Sequence, residues 1–419
     1  RMSRGLGDVY KRQELQGISK LDLKKRNRMQ ILRVIRESGP ISRVDIASSM
    51  KITRAAVTII TNEMINEGVL YEVGEAPVSL ENLQKGRRKI LIDINENFKF
   101  AFGASISDEL ICVGLTNLNG KIMDKTNTKI TENMTAEDIL EYITAACKNI
   151  MQNSCLDSSQ IIGLGLGIQT DMCSKMKVYF KDGKLDYTPV TEVLSDKLGF
   201  DVICANLSSV LALANQMQDV KDRKGNYAFI QLGKHVNLSI LLENEIMNEN
   251  VYYTNHVENM IVNPGGRKID GYPDGSVKAE LTYDAIINKY REIYSKENTP
   301  ILWEITNGDA NKIYYKTLCA AAAKGDTKML EVLDGILGCL AVLINNISTA
   351  FFTRSTILHG FNMNDWMFEY FKKHLINYCG EETAKKVRLS CVEENLEFKG
   401  GNCIVIAENF YNKGGLYEE

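Results

Sequence analysis

No apolar run in the 419 residues approaches the ~18 needed to span a bilayer. The longest stretches, Gly338–Ala350 and Ile161–Ile168, are too short or carry polar residues. No secretory signal with an apolar core is visible. The ten cysteines are scattered, and no two form a C-x-x-C pair. That argues against a disulfide framework and against a zinc cluster, and it suits reduced thiols in the cytoplasm. What remains is an ordinary soluble composition, 44% apolar and 25% charged. A chain of this length has room for two or three domains with substantial cores.

The net charge of −3 hides an asymmetry. Lys and Arg set against Asp and Glu give about +5 for residues 14–92 and about −11 for residues 93–419. A basic N-terminal module on an acidic body points to polyanion binding by the first part alone. Residues 1–13 stand apart. Their "DVYKRQ" reads like a sequencing adapter translated in frame, so they are set aside from fold reasoning.

From Leu21 the sequence "LDLKKRNRMQILRVIRESGPIS" reads as a helix. Leu23, Met29, Ile31, Leu32 and Ile35 form its apolar stripe, and Gly39-Pro40 stops it. Ser42 is a good cap for a second helix, with Asp45 three residues on. After a short turn at Lys51-Ile52, Thr53 caps a third helix that ends at Gly68. Two β-type runs follow, "VLYEVGE" and "RRKILIDI", separated by a loop over Ala76–Gly86. Three helices and a β-hairpin make a winged helix-turn-helix, expected over residues 14–95. Val57, Ile60 and Met64 face its core, while Arg54, Ala55, Thr58, Ile59 and Asn62 face outward. In a DNA-binding reading the third helix enters the major groove. Arg54 then donates to guanine or phosphate, Thr58 to phosphate or a base edge, and Ala55 and Ile59 meet thymine methyls. Ser42, Arg43, Lys51 and Thr53 complete the helical DNA-facing set, and Lys85, Arg87 and Arg88 form the wing's. The alternative is a protein-interaction module with a solvated basic face. The wing's Arg pair favours double-stranded DNA.

"GPISRVDIASSMKITRAAVTIITNEMINEGVL" followed by "GRRKILIDIN" resembles the N-terminal domain of the ROK family, which groups sugar-responsive repressors and sugar kinases. Ala56 stands where that family often has Thr, and Ile59 where it often has Arg. The resemblance continues through the body. "GLGLGIQTD" parallels the family's G-I-G-x-P-G-x-V-D. "YTNHVENMIVNPGG" parallels G-E-I-G-H-M-x-V-x-P-x-G, and "LAVLINNISTAFFTRSTILHG" parallels N-L-I-N-x-L-N-P-x-x-I-V-x-G-G. This implies an α/β body with the two-lobed fold of actin-like ATPases, a ribonuclease H-like arrangement. The expected lobes are residues 96–204 with 398–419, and residues 205–397, the latter for dimerisation and effector binding. Patterning agrees: strand pairs, an Asn119-Gly120 turn, a helix capped by Thr135 and a turn near Gly233–Asn237 alternate with helices.

The chemical positions depart from the kinase pattern. "ASISD" replaces D-x-G-x-T, with Ser105 for the Asp and Ser107 for the Gly. "GKHVN" replaces G-T-G-x-G. Cys204 occupies the position of the catalytic Asp, and a thiol is a poor general base for a sugar hydroxyl. The zinc motif C-x-C-G-x-x-G-C has no counterpart cysteine, and its His position is Asn259. No catalytic residue, metal or cofactor is therefore expected. The sugar-binding positions map onto Cys204, His256, Asn259 and Glu280, joined by Asn206 and by Thr170 and Asp171 after the glycine run. These side chains can hydrogen-bond a polyol. A chemically different ligand, or a body that only dimerises, stays open at this point. The expected protein is a cytoplasmic transcriptional regulator, a homodimer or tetramer, with a sugar kinase or a ligand-independent scaffold as alternatives.

Overall fold

The computed structural model describes residues 20–75, 89–181, 184–218, 225–242, 245–246, 254–360, 363 and 365–416. The wing loop with Lys85, Arg87 and Arg88 and the set-aside residues 1–13 lie outside these. The chain forms two compact units, one of Arg1–Lys99 with Ile406–Glu419, the other of Phe100–Val405.

In the first unit, α1 (Lys20–Ser38) is followed by a short strand β1 (Ile41–Ser42), α2 (Arg43–Met50) and α3 (Arg54–Asn66). The predicted caps are in place. Ser42 Oγ accepts from Asp45 N at 3.2 Å, and Thr53 Oγ1 from Ala56 N at 3.2 Å. Between the two helices Lys51 takes a left-handed φ of 55°, which turns the chain tightly. Strands β2 (Leu70–Glu75) and β3 (Ile90–Ile94) pair antiparallel, and β1 joins β3 on its other side. Ile31, Leu32 and Ile35 of α1, Ile46 of α2 and Val57, Ile60 and Met64 of α3 are all buried. This is the element order of a winged helix-turn-helix.

The end of the chain is part of the same unit. Arg28, fully buried, donates from Nε to the Gly414 carbonyl at 2.8 Å and from both Nη atoms to the Glu67 carboxylate. The Arg36 guanidinium lies 4.5 Å from the Tyr411 ring centre. Gly414 and Gly415 have φ of 68° and 78°, a left-handed pair that lets the tail turn against α1. A Cβ on Gly415 would sit 3.0 Å from Val69 Cγ1. The expectation that residues 398–419 form one piece of the first lobe therefore does not hold. Phe398–Val405 belongs to the second unit, and the residues from Ile406 pack on α1 through contacts that local sequence does not encode.

The second unit holds two five-stranded sheets with the same plan. In the first, β4 (Phe100–Ile106), β5 (Leu110–Asn117) and β6 (Ile122–Lys129) form an antiparallel meander. Then α4 (Ala136–Asn153) leads to β7 (Ile161–Ile168). A small hairpin, β8 (Tyr179–Lys181) and β9 (Lys184–Asp186), and α5 (Thr188–Leu198) lead on to β10 (Val202–Asn206). The order is β10-β7-β4-β5-β6, with β7 parallel to both β4 and β10. Helix α6 (Leu207–Gln218) crosses to the second sheet, which begins with β11 (Tyr227–Leu232), β12 (Asn237–Leu242) and β13 (Glu245–Ile246). A helical excursion follows: α7 (Val277–Leu281), α8 (Tyr283–Ile293), α9 (Pro300–Thr306), α10 (Tyr315–Ala323) and α11 (Thr327–Phe351). Then come β14 (Ser355–Gly360), α12 (Asp365–Ala384), β15 (Val387–Leu389) and α13 (Phe398–Val405). The order β13-β12-β11-β14-β15 repeats the hairpin-plus-parallel-strands plan of the first sheet.

Two features of this unit bear on the sequence reading. The glycines of "GLGLG" all lie within β7. A Cβ on Gly165 would fall 1.8 Å from the Gly401 carbonyl oxygen, so the strand is bare because the backbone of α13 rests on it. Helix α11, at 25 residues and with mean hydropathy 1.7 over its best window, is long and apolar enough to cross a membrane by composition alone. More than half of that window is buried in this unit. Leu333, Ile336, Leu337, Leu340 and Ile344 pack with Leu302, Leu318, Phe371 and Leu375 in one cluster, which makes α11 the core helix of the second half.

Candidate functional site

The outward face of α3 is built by its cap and its core side together. Thr53 fixes the start, and burial of Val57, Ile60, Thr61 and Met64 fixes the rotation. Arg54, Ala55, Thr58, Ile59 and Asn62 are consequently exposed, as expected from sequence, and Ile59 is 60% exposed. No acidic residue lies in the first turn. Further along, Glu63 is paired with Lys24 at 2.7 Å and Glu67 with Arg28. Thr58 Oγ1 donates back to the Arg54 carbonyl at 2.8 Å. Arg43 is held within the unit: it donates to Thr61 Oγ1, Asn62 Oδ1 and Glu72 Oε1 at 3.0–3.1 Å. It therefore braces α3 against β2. Lys89, just before β3, pairs with Asp45 at 2.7 Å and holds that carboxyl below its usual range, through its hydrogen bond first and that of Ser42 second.

In the second unit a polar cluster forms where the two sheets' strand ends meet. Asn206, at the end of β10, donates from Nδ2 to Thr170 Oγ1 at 3.0 Å and accepts from Ser208 N at 3.0 Å. Asp171 Oδ1 lies 3.3 Å from His235 Nε2. The other imidazole nitrogen lies 3.1 Å from Glu258 Oε1. Glu258 is fully buried and also accepts from Val236 N at 3.0 Å, from Lys278 at 3.3 Å and from Tyr272 OH at 3.4 Å. Burial alone would raise the Glu258 carboxyl. The hydrogen bonds from His235 and Val236, with the charge of Lys278, outweigh burial and leave it below the usual range. Asp171 goes the other way: burial raises it, and the nearby His235 only partly compensates.

Among the sequence candidates, Thr170, Asp171 and Asn206 are thus brought together. Cys204 lies on the same strand as Asn206, and burial pushes its thiol far above its usual range. Glu280, 1% exposed, is tied to Asn263 Nδ2 at 3.1 Å, to Arg267 N at 2.9 Å and to Lys289. It closes the segment that parallels the family's zinc loop with protein hydrogen bonds. His256 and Asn259 are exposed, and Asn259 Nδ2 reaches the His256 carbonyl at 3.4 Å. His235, Glu258, Lys278 and Tyr272 were missed from sequence. The one local signal was Glu258 itself, a carboxylate where the family's motif has a glycine. A separate cavity of about 530 Å3 opens at the carboxyl ends of β14 and β15. It is lined by His359, Met363, Ser390 and Glu393 among others, and by none of the sequence candidates. Buried His359 contacts Glu397 at 3.0 Å.

A helix-turn-helix unit joined to a body of two five-stranded sheets built on one plan is a fold this chain shares with solved ROK proteins. The comparisons with known proteins agree. A crystal structure of a ROK family transcriptional regulator, a homologue of the Escherichia coli MLC protein, superimposes with a TM-score of 0.70 at 16% identity over 94% of this chain and 98% of that one. The ROK glucokinase of Streptomyces griseus, solved with glucose and AMPPNP, superimposes with a TM-score of 0.57 at 17% identity, covering 73% of this chain. In sequence, the chain is 23% identical to a putative xylose repressor of a Caldicellulosiruptor strain over 226 residues, 54% of this chain and 55% of that protein. It is 23% identical to the Escherichia coli dual regulator NagC over 342 residues, 78% of this chain and 80% of NagC. The chain spans a little over half the length of the first curated relatives it matches. No family model matches it.

Proposed function

We propose that this chain is a DNA-binding transcriptional repressor of the ROK type, working in the cytoplasm as a homodimer or tetramer under the control of a small sugar-like effector. The observation that carries the reading is the face of α3: Arg54, Ala55, Thr58, Ile59 and Asn62 exposed together, no carboxylate in its first turn, and its later carboxylates paired. The names of the sequence relatives, a putative xylose repressor and a DNA-binding dual regulator, support it. Two heads related by a two-fold axis read half-sites about 34 Å apart, or a multiple of that. Lys85, Arg87 and Arg88 add phosphate or minor-groove contacts from the wing.

The body acts as a sensor rather than a phosphotransferase. Its counterpart of the catalytic Asp is Cys204, a thiol that burial keeps protonated at neutral pH. Thr170, Asp171, Asn206 and His235 offer a ligand hydroxyl both donors and acceptors. Effector and DNA then oppose each other reciprocally, since each favours one arrangement of the body. The test is a DNA-binding titration against the chain's own upstream region, repeated with xylose, N-acetylglucosamine and other sugars. Arg54→Ala is expected to weaken binding at least tenfold, and one sugar to release the DNA. Unchanged binding by Arg54→Ala removes α3 as the reading element.

A further inference from the structure

The exposed side of α3 carries an apolar ledge. Ile59 is 60% exposed, and Ala55, one helical turn earlier on the same face, is exposed too. Neither is needed for the core, which Val57, Ile60 and Met64 fill from the opposite side. The polar side chains beside the ledge are exposed but already hold partners within the protein. Thr58 donates its hydroxyl to the Arg54 carbonyl, and the Asn62 carbonyl accepts from Arg43. Ala55 and Ile59 are separated by about 6 Å along the helix axis. Adjacent base pairs rise by about 3.4 Å, so the ledge covers one to two steps.

The major groove presents a single apolar base-edge group, the 5-methyl of thymine. A basic unit with no carboxylate at the start of α3 suits that groove by charge. We infer that Ala55 and Ile59 select thymine at one or two adjacent positions of each half-site, so that sequence is read there by methyl contact rather than by an arginine-guanine pair. Arg54, which makes no side-chain hydrogen bond to a described residue, is left for the flanking base or phosphate. This selectivity rests on the DNA-binding reading above.

The experiment selects binding duplexes from a randomised pool. Each thymine of the selected half-site is then replaced in turn by deoxyuridine, which keeps the base pair and removes only the methyl. The protein is expected to lose about five- to tenfold in affinity at one or two positions and to be indifferent elsewhere. Ile59→Ala is expected to bind the thymine and deoxyuridine duplexes equally at those positions, with an unchanged salt dependence and an unchanged melting temperature. Indifference to deoxyuridine at every position overturns the inference while leaving a DNA-binding protein. So does full discrimination retained by Ile59→Ala. Failure to select any sequence overturns the DNA-binding reading itself, and the inference with it.

Discussion

Glu258 has no exposed surface, yet it holds a charge that three segments of chain converge on: His235 and Val236 from the β11–β12 turn, Tyr272 from the loop before α7, and Lys278 from α7. Removing one member of a buried ionic group leaves the rest uncompensated, at about 3 kcal/mol or more. Glu258→Gln is therefore expected to lower unfolding free energy by about 3 kcal/mol at neutral pH, read by denaturant titration. The sign of the pH effect follows from linkage. The native carboxyl sits below its ordinary value of 4.5, so the unfolded chain takes up the proton first as pH falls. The stabilisation is complete above that ordinary value and is lost as pH falls through the native one. The gap between Glu258→Gln and the unaltered protein should narrow on that acid limb, whereas a gap constant with pH would assign the loss to packing. None of these partners adjoins Glu258 in the sequence. Its close neighbours His256 and Asn259, singled out from the motif, are exposed instead. A motif alignment finds positions; it does not find which of the neighbouring side chains turns inward.

At the scale of elements, the helix starts were legible because caps are local. Ser42, Thr53 and Thr135 each accept a backbone N–H in the first turn that follows. The hairpin at Asn119-Gly120 was legible for the same reason, with Gly120 at a φ of 78°. The glycines of β7 were not, because what requires them lies far along the chain, on α13. Gly401 of α13 lies with its own Cβ position 2.0 Å from the Gly165 carbonyl oxygen, so neither backbone can retreat without parting from the other. Gly401→Ala is expected to destabilise the second unit by more than about 3 kcal/mol, visible as loss of its cooperative melt. A change of only about 0.5 kcal/mol would mean that α13 is free to lift from the sheet. Helix α11 would pass for a membrane span by length and mean hydropathy, but its apolar run is interrupted in the sequence, and its ring of packed neighbours identifies a core helix.

Across the whole molecule, the charge asymmetry was the most informative sequence feature, since it separated the unit that carries α3 from the acidic remainder. The true boundary of that unit was hidden. Ile406–Glu419 looks from sequence like the end of the body, yet the Arg28 guanidinium of α1 is anchored on the Gly414 carbonyl. A chain ending at Val405 takes that acceptor away from a buried guanidinium, at about 1–3 kcal/mol, and removes the Tyr411 ring from the Arg36 guanidinium of α1. Such a truncation is expected to abolish the cooperative unfolding of the first unit and, with it, the DNA binding proposed above, while the second unit still melts on its own. Retained binding by the truncated chain would show that the tail is dispensable.

The placement of that tail has a temporal side. During synthesis the residues of α1, α2 and α3 leave the ribosome before those of the second unit. Arg28 then waits, through translation of the entire second unit, for Gly414 to arrive. Helices α1–α3 are thus made well before the tail that completes their unit, so a product terminated ahead of Gly414 carries the α3 side chains but not the completed unit that holds them in place.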